Sequence, residues 1–326
     1  MAAQMSLISP VHDARDEERR SSFEIDAVCH TAIRDPIPYN ALTIDVEDYF
    51  QVEAFADIID RKDWEMYPRR VVPNTNRLLD ILGAAHVTAT FFMLGWVATR
   101  HPELVRRIVD EGHELASHGS DHYRIDQQSI AEFRSDIRQS KALLEDIGGR
   151  LVQGYRAPTF SVGHRCPWVH TVLAEEGFRY SSSVYPIAHD LYGEPSAPRR
   201  PFCPQPGFIE IPLTTVRFFG RNWPTAGGGY FRLLPYEVTR AALRRASNEL
   251  RTPCVFYLHP WEIDADQPRQ LHASRLSRFR HYVNLHHTER RLCRLLHDFS
   301  WTRMDRIFID GAVSPPIIES WLNTRT

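Results

Sequence analysis

An α/β fold built on a parallel sheet is predicted by three features of this 326-residue chain. Short β-type runs alternate with amphipathic helical runs. Glycines close several of the helical runs, and polar residues recur where strands end. The first 38 residues are polar, charged and punctuated by prolines up to "RDPIPYN", which predicts a mobile leader over 1–38. The fold is expected to begin at "ALTIDVEDYF", where a buried-strand run stops at a cluster of acids. "NTNRLLDILGAAH" reads as a capped helix closed by Gly83, and "VTATFFMLG" as a second strand. "HPELVRRIVDEG" is an amphipathic helix bounded by Pro102 and Gly112, followed by a strand in "HELASH". A helix over "SIAEFRSDIRQSKALLEDIGG", a short strand in "VQGYRAP", a helix over "HTVLAEEG" and the run "FRYSSSVYP" continue the alternation. The helix "PYEVTRAALRRASNEL" and the strand "PCVFYLHPWE" come much later. This spacing allows a barrel or a doubly wound sheet, with helices outside in either case.

Two regions break the pattern. Residues 190–235, with "GEPSAPRRPFCPQPG" and "NWPTAGGGYFRLLP", read as a long irregular insertion, the kind of segment that often covers a functional site. Its "AGGGYF" lacks the spacing of a phosphate-binding loop, so Tyr230 and Phe231 are instead candidates for stacking on a sugar. The Arg- and His-rich stretch from about 265 carries Leu285, Leu292, Leu295 and Leu296 at helical spacing, which predicts a packed helix with a solvated basic face.

Composition excludes little. A formal net charge of −2 gives no overall attraction to nucleic acid or to an anionic membrane, whereas a neutral, sugar-like substrate is compatible with it. The five scattered cysteines form no CxxC pair and read as reduced thiols. Charges interrupt the N-terminus before any apolar signal core, and no run of about 18 apolar residues occurs, so a cytoplasmic location is expected.

The chemistry concentrates at strand ends, which form the active face of parallel α/β barrels. In "SHGSDH", His118 and His122 stand four apart, a spacing that puts both imidazoles on one side of a helical turn and within reach of one cation. Asp45 and Glu47 alternate along a strand and share a face, with Asp48 just beyond. One carboxylate can complete a two-histidine, one-carboxylate site with open positions, the pattern of a catalytic rather than structural zinc, while another stays free as a base. His259, from a separate strand, can supply the acid for hydrolysis of an amide or ester, and Arg156 can hold the base ionised. His113 is expected to be structural.

These segments carry a resemblance. "TIDVED", "SHGSDH", "YRAPTFS", "YSSSVYP" and "FYLHPWE" resemble, in order and rough spacing, the five motifs of the polysaccharide deacetylase family, carbohydrate esterases that remove acetyl groups from chitin-like, peptidoglycan and exopolysaccharide chains. The resemblance runs from about residue 40 to 262. "GGGYFRLLPY", "YLHPWEID" and "RFRHYVNLHHTERRL" are further similar to a bacterial subgroup encoded in exopolysaccharide and exosortase (PEP-CTERM) loci.

The resemblance implies a distorted (β/α)7-type barrel over 39–264 with a C-terminal extension, 265–326, packed on it. It implies Asp45 as general base, His259 as general acid, Arg156 as partner of the base, and His118 and His122 as ligands of a divalent metal, zinc foremost. The oxyanion would meet the metal and a backbone N–H just after Pro158, that of Thr159; Tyr230 and Trp261 join these as substrate contacts. The first motif reads Asp45-Val46-Glu47-Asp48 where many members have adjacent aspartates, so either Glu47 or Asp48 is the third ligand. Ser181 stands where the fourth motif often has an aspartate that tunes the acid histidine. The implied substrate is an acetylated poly- or oligosaccharide, an exopolysaccharide or its precursor, handled in association with a synthesis assembly. A glycosidase working through paired carboxylates, or a carbohydrate-binding member without turnover, is the alternative.

Overall fold

The computed structural model describes residues 39–311 together with 315, 316 and 318. The expected leader, 1–38, lies outside the described residues. Strands are β1 (Asn40–Val46), β2 (Thr90–Met93), β3 (Glu114–Ser117), β4 (Gly154–Tyr155), β5 (Tyr180–Ser181), β6 (Phe202–Gln205), β7 (Phe208–Glu210), β8 (Thr215–Phe218), β9 (Arg221–Pro224), β10 (Val255–Leu258) and β11 (Trp301–Thr302). Helices are α1 (Val71–Ala84), α2 (Gly95–Arg100), α3 (Pro102–Asp110), α4 (Ile130–Gly148), α5 (Val169–Glu175), α6 (Gly228–Leu233), α7 (Tyr236–Leu250), α8 (Arg275–Tyr282), α9 (Leu285–Asp298) and α10 (Met304–Phe308).

The main sheet runs β10-β1-β2-β3-β4-β5-β7-β6. Every ladder from β10 to β7 is parallel, and β6 closes the far edge antiparallel to β7. Seven parallel strands thus curl into a half-barrel, the expected α/β class, with no ladder joining β10 to β6 among the described residues. Helices cover the parallel strands, so β1 and β2 are almost wholly buried on both faces. β11, from beyond residue 264, pairs with the start of β1.

Local sequence explains most elements. Ser129 caps α4 through a reciprocal box with Glu132, and Pro102 opens α3, where its missing N–H costs nothing. In α9, Leu285, Leu292, Leu295 and Leu296 form the buried stripe that their spacing predicts.

Two expectations are corrected. Helix α1 begins at Val71, with Pro73 in its first turn, and Gly83 lies inside it; the chain leaves through Ala85 and His86, the latter at φ 53°. Its N-terminus is capped from afar, because Asp48 Oδ2 accepts from the N–H groups of Arg70 (2.7 Å) and Val71 (2.9 Å). Residues 190–235 are not irregular either, since they supply β6, β7, the β8–β9 hairpin and α6. The glycines of "AGGGYF" serve packing: a Cβ on Gly227 would stand 1.9 Å from the Tyr257 carbonyl oxygen, so only glycine lets this chain lie against β10. Phe231 is buried, edge-on to Phe256 at 5.0 Å, and is no sugar-stacking residue.

Candidate active site

Because the strands are parallel, their C-terminal ends share one rim. β1 delivers Asp45 and Glu47, β3 leads to His118, β4 to Arg156, and β10 to His259. A cleft of about 380 Å³ opens there, with Asp45, Glu47, His118, His122, Thr159 and His259 in its wall, a volume suited to a small ligand.

His118 and His122 do meet, with ring centroids 5.4 Å apart, but not through a helical turn. The segment after β3 is a loop in which Gly119 (φ 76°) and His122 (φ 55°) take left-handed backbone. A side chain at 119 would be strained by that φ and would press on Asp136 Oδ2 at 2.9 Å. Asp136 Oδ1 accepts from Ser120 N (2.9 Å), and Arg61 donates to the carbonyls of Asp121 and His122 (2.8 Å each), so the loop is held from two sides.

The donor set fits a divalent cation. Ligand atoms of Glu47, His118 and His122, all buried, lie within 4.8 Å of one another. His118 Nδ1 donates to the Arg156 carbonyl (2.8 Å), which fixes the tautomer and leaves Nε2 with its lone pair free. Burial holds this imidazole down to about 4, so it is neutral, as a ligand must be. Glu47 Oε2 is buried without a hydrogen bond, although it lies only 2.8 Å from His122 Nε2. A bound cation would satisfy that orphaned oxygen. Burial works to raise the Glu47 carboxyl, but His122, His259 and His118 outweigh it and bring it to about 2.

Asp48, the rival third ligand, does not join them. Oδ1 accepts from Tyr49 N (2.9 Å) and Oδ2 caps α1. Burial pushes its carboxyl up to about 6 against those three backbone donors. Asp48→Ala should therefore leave metal content unchanged and cost about 1–3 kcal/mol in a urea melt, the penalty for unpaired buried N–H groups.

Asp45 faces Arg156, whose fully buried guanidinium donates to Asp45 Oδ1 (2.6 Å), Thr43 Oγ1 (2.7 Å), and the carbonyl and hydroxyl of Ser182 (3.0 Å each). The Phe92 ring lies 4.1 Å from its carbon. Asp45 is thereby a fixed carboxylate whose second oxygen looks toward His259 Nε2, 3.9 Å away.

His259 is oriented by a pair that sequence reasoning left unassigned. Its Nδ1 donates to Glu262 Oε1 (2.8 Å), while Glu262 Oε2 accepts from Arg232 Nε (2.6 Å). Burial would lower His259, yet Glu47, Glu262 and Asp45 carry it up to about 9. Glu262 thus fills the role open at Ser181, whose hydroxyl bonds only to Ser183 (2.7 Å) among the described residues. The signal was present, because Glu262 follows His259 by three residues inside the same motif. An acid works below its pKa, so removing the Glu262 charge lowers the pH at which His259 loses its proton. Glu262→Gln is expected to move the alkaline limb of the pH–rate profile to lower pH and to cut kcat about tenfold.

Of the proposed substrate contacts, Thr159 and Tyr230 line the cleft, whereas Pro158 is buried and absent from its wall. Thr159 and Phe160 hold φ of 57° and 47°, uncommon for residues with side chains and typical of backbone constrained at a site. Trp261 lines the cleft as well; His259 and His281 stack on its ring at 5.1 Å and 4.2 Å, and its Nε1 donates to Glu47 Oε1 (3.2 Å), so it also positions the carboxylate. His113 is structural as expected, accepting from Ala89 N (3.0 Å).

The rim of a parallel α/β half-barrel thus brings two imidazoles and a carboxylate that could hold a cation beside a second carboxylate and a third imidazole, a donor set compatible with a metal-assisted hydrolase. Comparison with known proteins agrees. Residues 63–180 match the family profile "Polysaccharide deacetylase", and residues 182–309 match "Domain of unknown function (DUF3473)". A peptidoglycan-N-acetylglucosamine deacetylase of Bacillus cereus is 33% identical over 26% of this chain and 30% of its own length. A chitooligosaccharide deacetylase of Bradyrhizobium is 36% identical over 31% of this chain and 43% of its own. The chain thus spans less than half the length of these curated relatives. A solved Mycobacterium smegmatis chain, provisionally described as a polysaccharide deacetylase, shares the fold at TM-score 0.54 and 20% identity, covering 89% of this chain and 97% of its own. The likeness to the polysaccharide deacetylase family thus rests on residues 63–180 and on relatives matched over part of their length. The acid half of the site, His259 with Glu262 and Arg232, falls in the segment whose profile has no assigned function.

Proposed function

We propose that this protein is a metal-dependent hydrolase that removes acetyl groups from N-acetylated sugars, with an exopolysaccharide or its precursor as substrate. The observation that carries the reading is the separation of roles on one rim: Glu47, His118 and His122 converge as ligands, while Asp45 and His259 remain outside that set. Glu47, His118 and His122 would hold a divalent cation, zinc foremost, which would supply Lewis acidity at the acetamido carbonyl and toward water.

The chain's own residues do the rest. Asp45, oriented by Arg156, takes a proton from the attacking water as oxygen adds to the acetyl carbon. The backbone N–H of Thr159, at the cleft wall, meets the developing oxyanion. His259, protonated up to about 9, gives its proton to the departing nitrogen. The carbon–nitrogen bond breaks, leaving acetate and a free amine. Tyr230 contacts the sugar beside the reacting group. A cytoplasmic place of action would make the substrate a lipid- or nucleotide-linked precursor met within a synthesis assembly.

A glycosidase needs a raised carboxyl in the cleft to act as acid; Glu47 is held in the opposite direction, to about 2, and Asp48, raised to about 6, caps α1 and is not in the cleft wall. The test is product analysis on a panel of N-acetylated oligosaccharides with zinc-loaded protein. Acetate released one-for-one with new amines, and no new reducing ends, is the expected result; reducing ends without acetate would overturn the reading.

A further inference from the structure

Beside the catalytic cleft lies a larger groove of about 940 Å³, and Tyr230 belongs to the walls of both. None of its described lining residues comes from 63–180: the groove is built by the β8–β9 hairpin, the proline-rich stretch before β6, the end of α7 and the far C-terminal segment. It is therefore a feature of the chain beyond residue 180 rather than of the segment that matches the deacetylase profile.

Its charge is one-sided. Arg199, Arg200, Arg217 and Arg221 face a single acid, Glu249. That acid is already engaged, since Arg199 NH1 pairs with it (2.5 Å), and the Arg199 guanidinium also binds Thr215. Arg200 reaches only the Glu249 carbonyl, at 3.5 Å. Arg217 and Arg221, exposed on adjoining strands of the hairpin, have no ion pair among the described residues. The register sets Arg217 opposite Asn222 and Arg221 opposite Phe218, so the two arginines leave opposite faces of the ribbon, and Arg221 shares its face with Trp223. The same wall offers Trp223, about half exposed at 52%, its Nε1 tied to the Phe218 carbonyl (3.3 Å) so that the ring is held in place. A fixed aromatic ring among prolines and guanidinium groups suits a sugar that carries negative charge.

We infer that this groove binds an anionic portion of the saccharide substrate, a unit bearing a carboxylate or phosphate, while the acetylated unit lies across Tyr230 in the cleft. Arg221 pairs with the anion, and Trp223, two residues on and on the same face of the ribbon, packs on the sugar. The inference rests on the deacetylase reading for the identity of the cleft's occupant, but the groove can be tested without turnover.

The test is calorimetric binding of three probes to the zinc-loaded full chain: a neutral N-acetylglucosamine hexamer, an alternating glucuronate–N-acetylglucosamine hexamer, and a nucleoside-diphosphate N-acetylglucosamine. At least one anionic probe should bind about five- to tenfold more tightly than the neutral hexamer, an advantage that fades between 50 mM and 500 mM salt. R217Q/R221Q should erase the advantage while leaving neutral binding and melting temperature unchanged; Trp223→Ala should weaken every probe that reaches the groove. Preference for the glucuronate hexamer places the anion in the glycan, and preference for the diphosphate places it in a carrier. Equal affinity for neutral and anionic probes, or an advantage that survives R217Q/R221Q, overturns the inference. Absence of acetate release from every probe, with arginine-dependent binding intact, would instead sink the deacetylase reading and leave the groove standing.

Discussion

His118→Ala is expected to lose its metal and, with it, acetate release. The imidazole is one of three converging donors, and its orientation is fixed by the hydrogen bond from Nδ1 to the Arg156 carbonyl. Neither Glu47 nor His122 can move to replace it: Trp261 Nε1 holds the first, and Arg61 pins the backbone carbonyl of the second. Zinc affinity should fall by more than about 100-fold, beyond what loss of a supporting hydrogen bond causes. The check is metal content after dialysis against a mild chelator, alongside acetate release with zinc restored. The parent protein should recover activity on adding zinc, and the variant should not. Near-UV circular dichroism of the variant controls for misfolding, since the residue is buried. A variant that kept both zinc and turnover would remove His118 from the site.

The sequence makes the strand-end chemistry legible because parallel strands deliver their C-terminal residues to one rim whatever the details between them. Asp45, His118, Arg156 and His259 meet for that reason alone. What was not legible depends on contacts between distant segments. Asp48 and Glu47 are neighbours of the same chemical kind, and only the α1 N-terminus, some twenty residues on, decides that Asp48 faces away from the cleft. The spacing of His118 and His122 pointed to the right pair for the wrong reason. A left-handed glycine and a left-handed histidine fold a loop where a helical turn was expected, and that loop depends on Asp136 and Arg61. Trp261 sits in the same motif as His259, but the stacking of His281 on its ring comes from a helix whose place in the fold only the structure shows. Residues 190–235 read as irregular because short edge strands and hairpins rich in proline carry almost no periodic signal.

Asp45→Asn separates base from ligand. The substitution keeps the shape and one acceptor for the Arg156 guanidinium but removes the charge that accepts a proton. If Asp45 acts as base, kcat should fall by about 100- to 10,000-fold with KM nearly unchanged, the span that positioned proton transfer contributes. Zinc content should stay at the parent level, because Glu47, His118 and His122 retain their donors. Some stability should be lost as well, since the fully buried Arg156 then faces an uncharged partner; removing one member of a buried pair outright costs about 3–5 kcal/mol, which sets the upper bound. Glu47→Gln is the necessary companion. It removes the buried oxygen that lacks a hydrogen bond and should lower zinc affinity and turnover together. The two variants are therefore predicted to differ in one measurable respect, metal retention, although Asp45 and Glu47 stand two residues apart on the same strand end. If D45N also shed its zinc, Asp45 would be a ligand, and the base would have to be sought elsewhere on the rim.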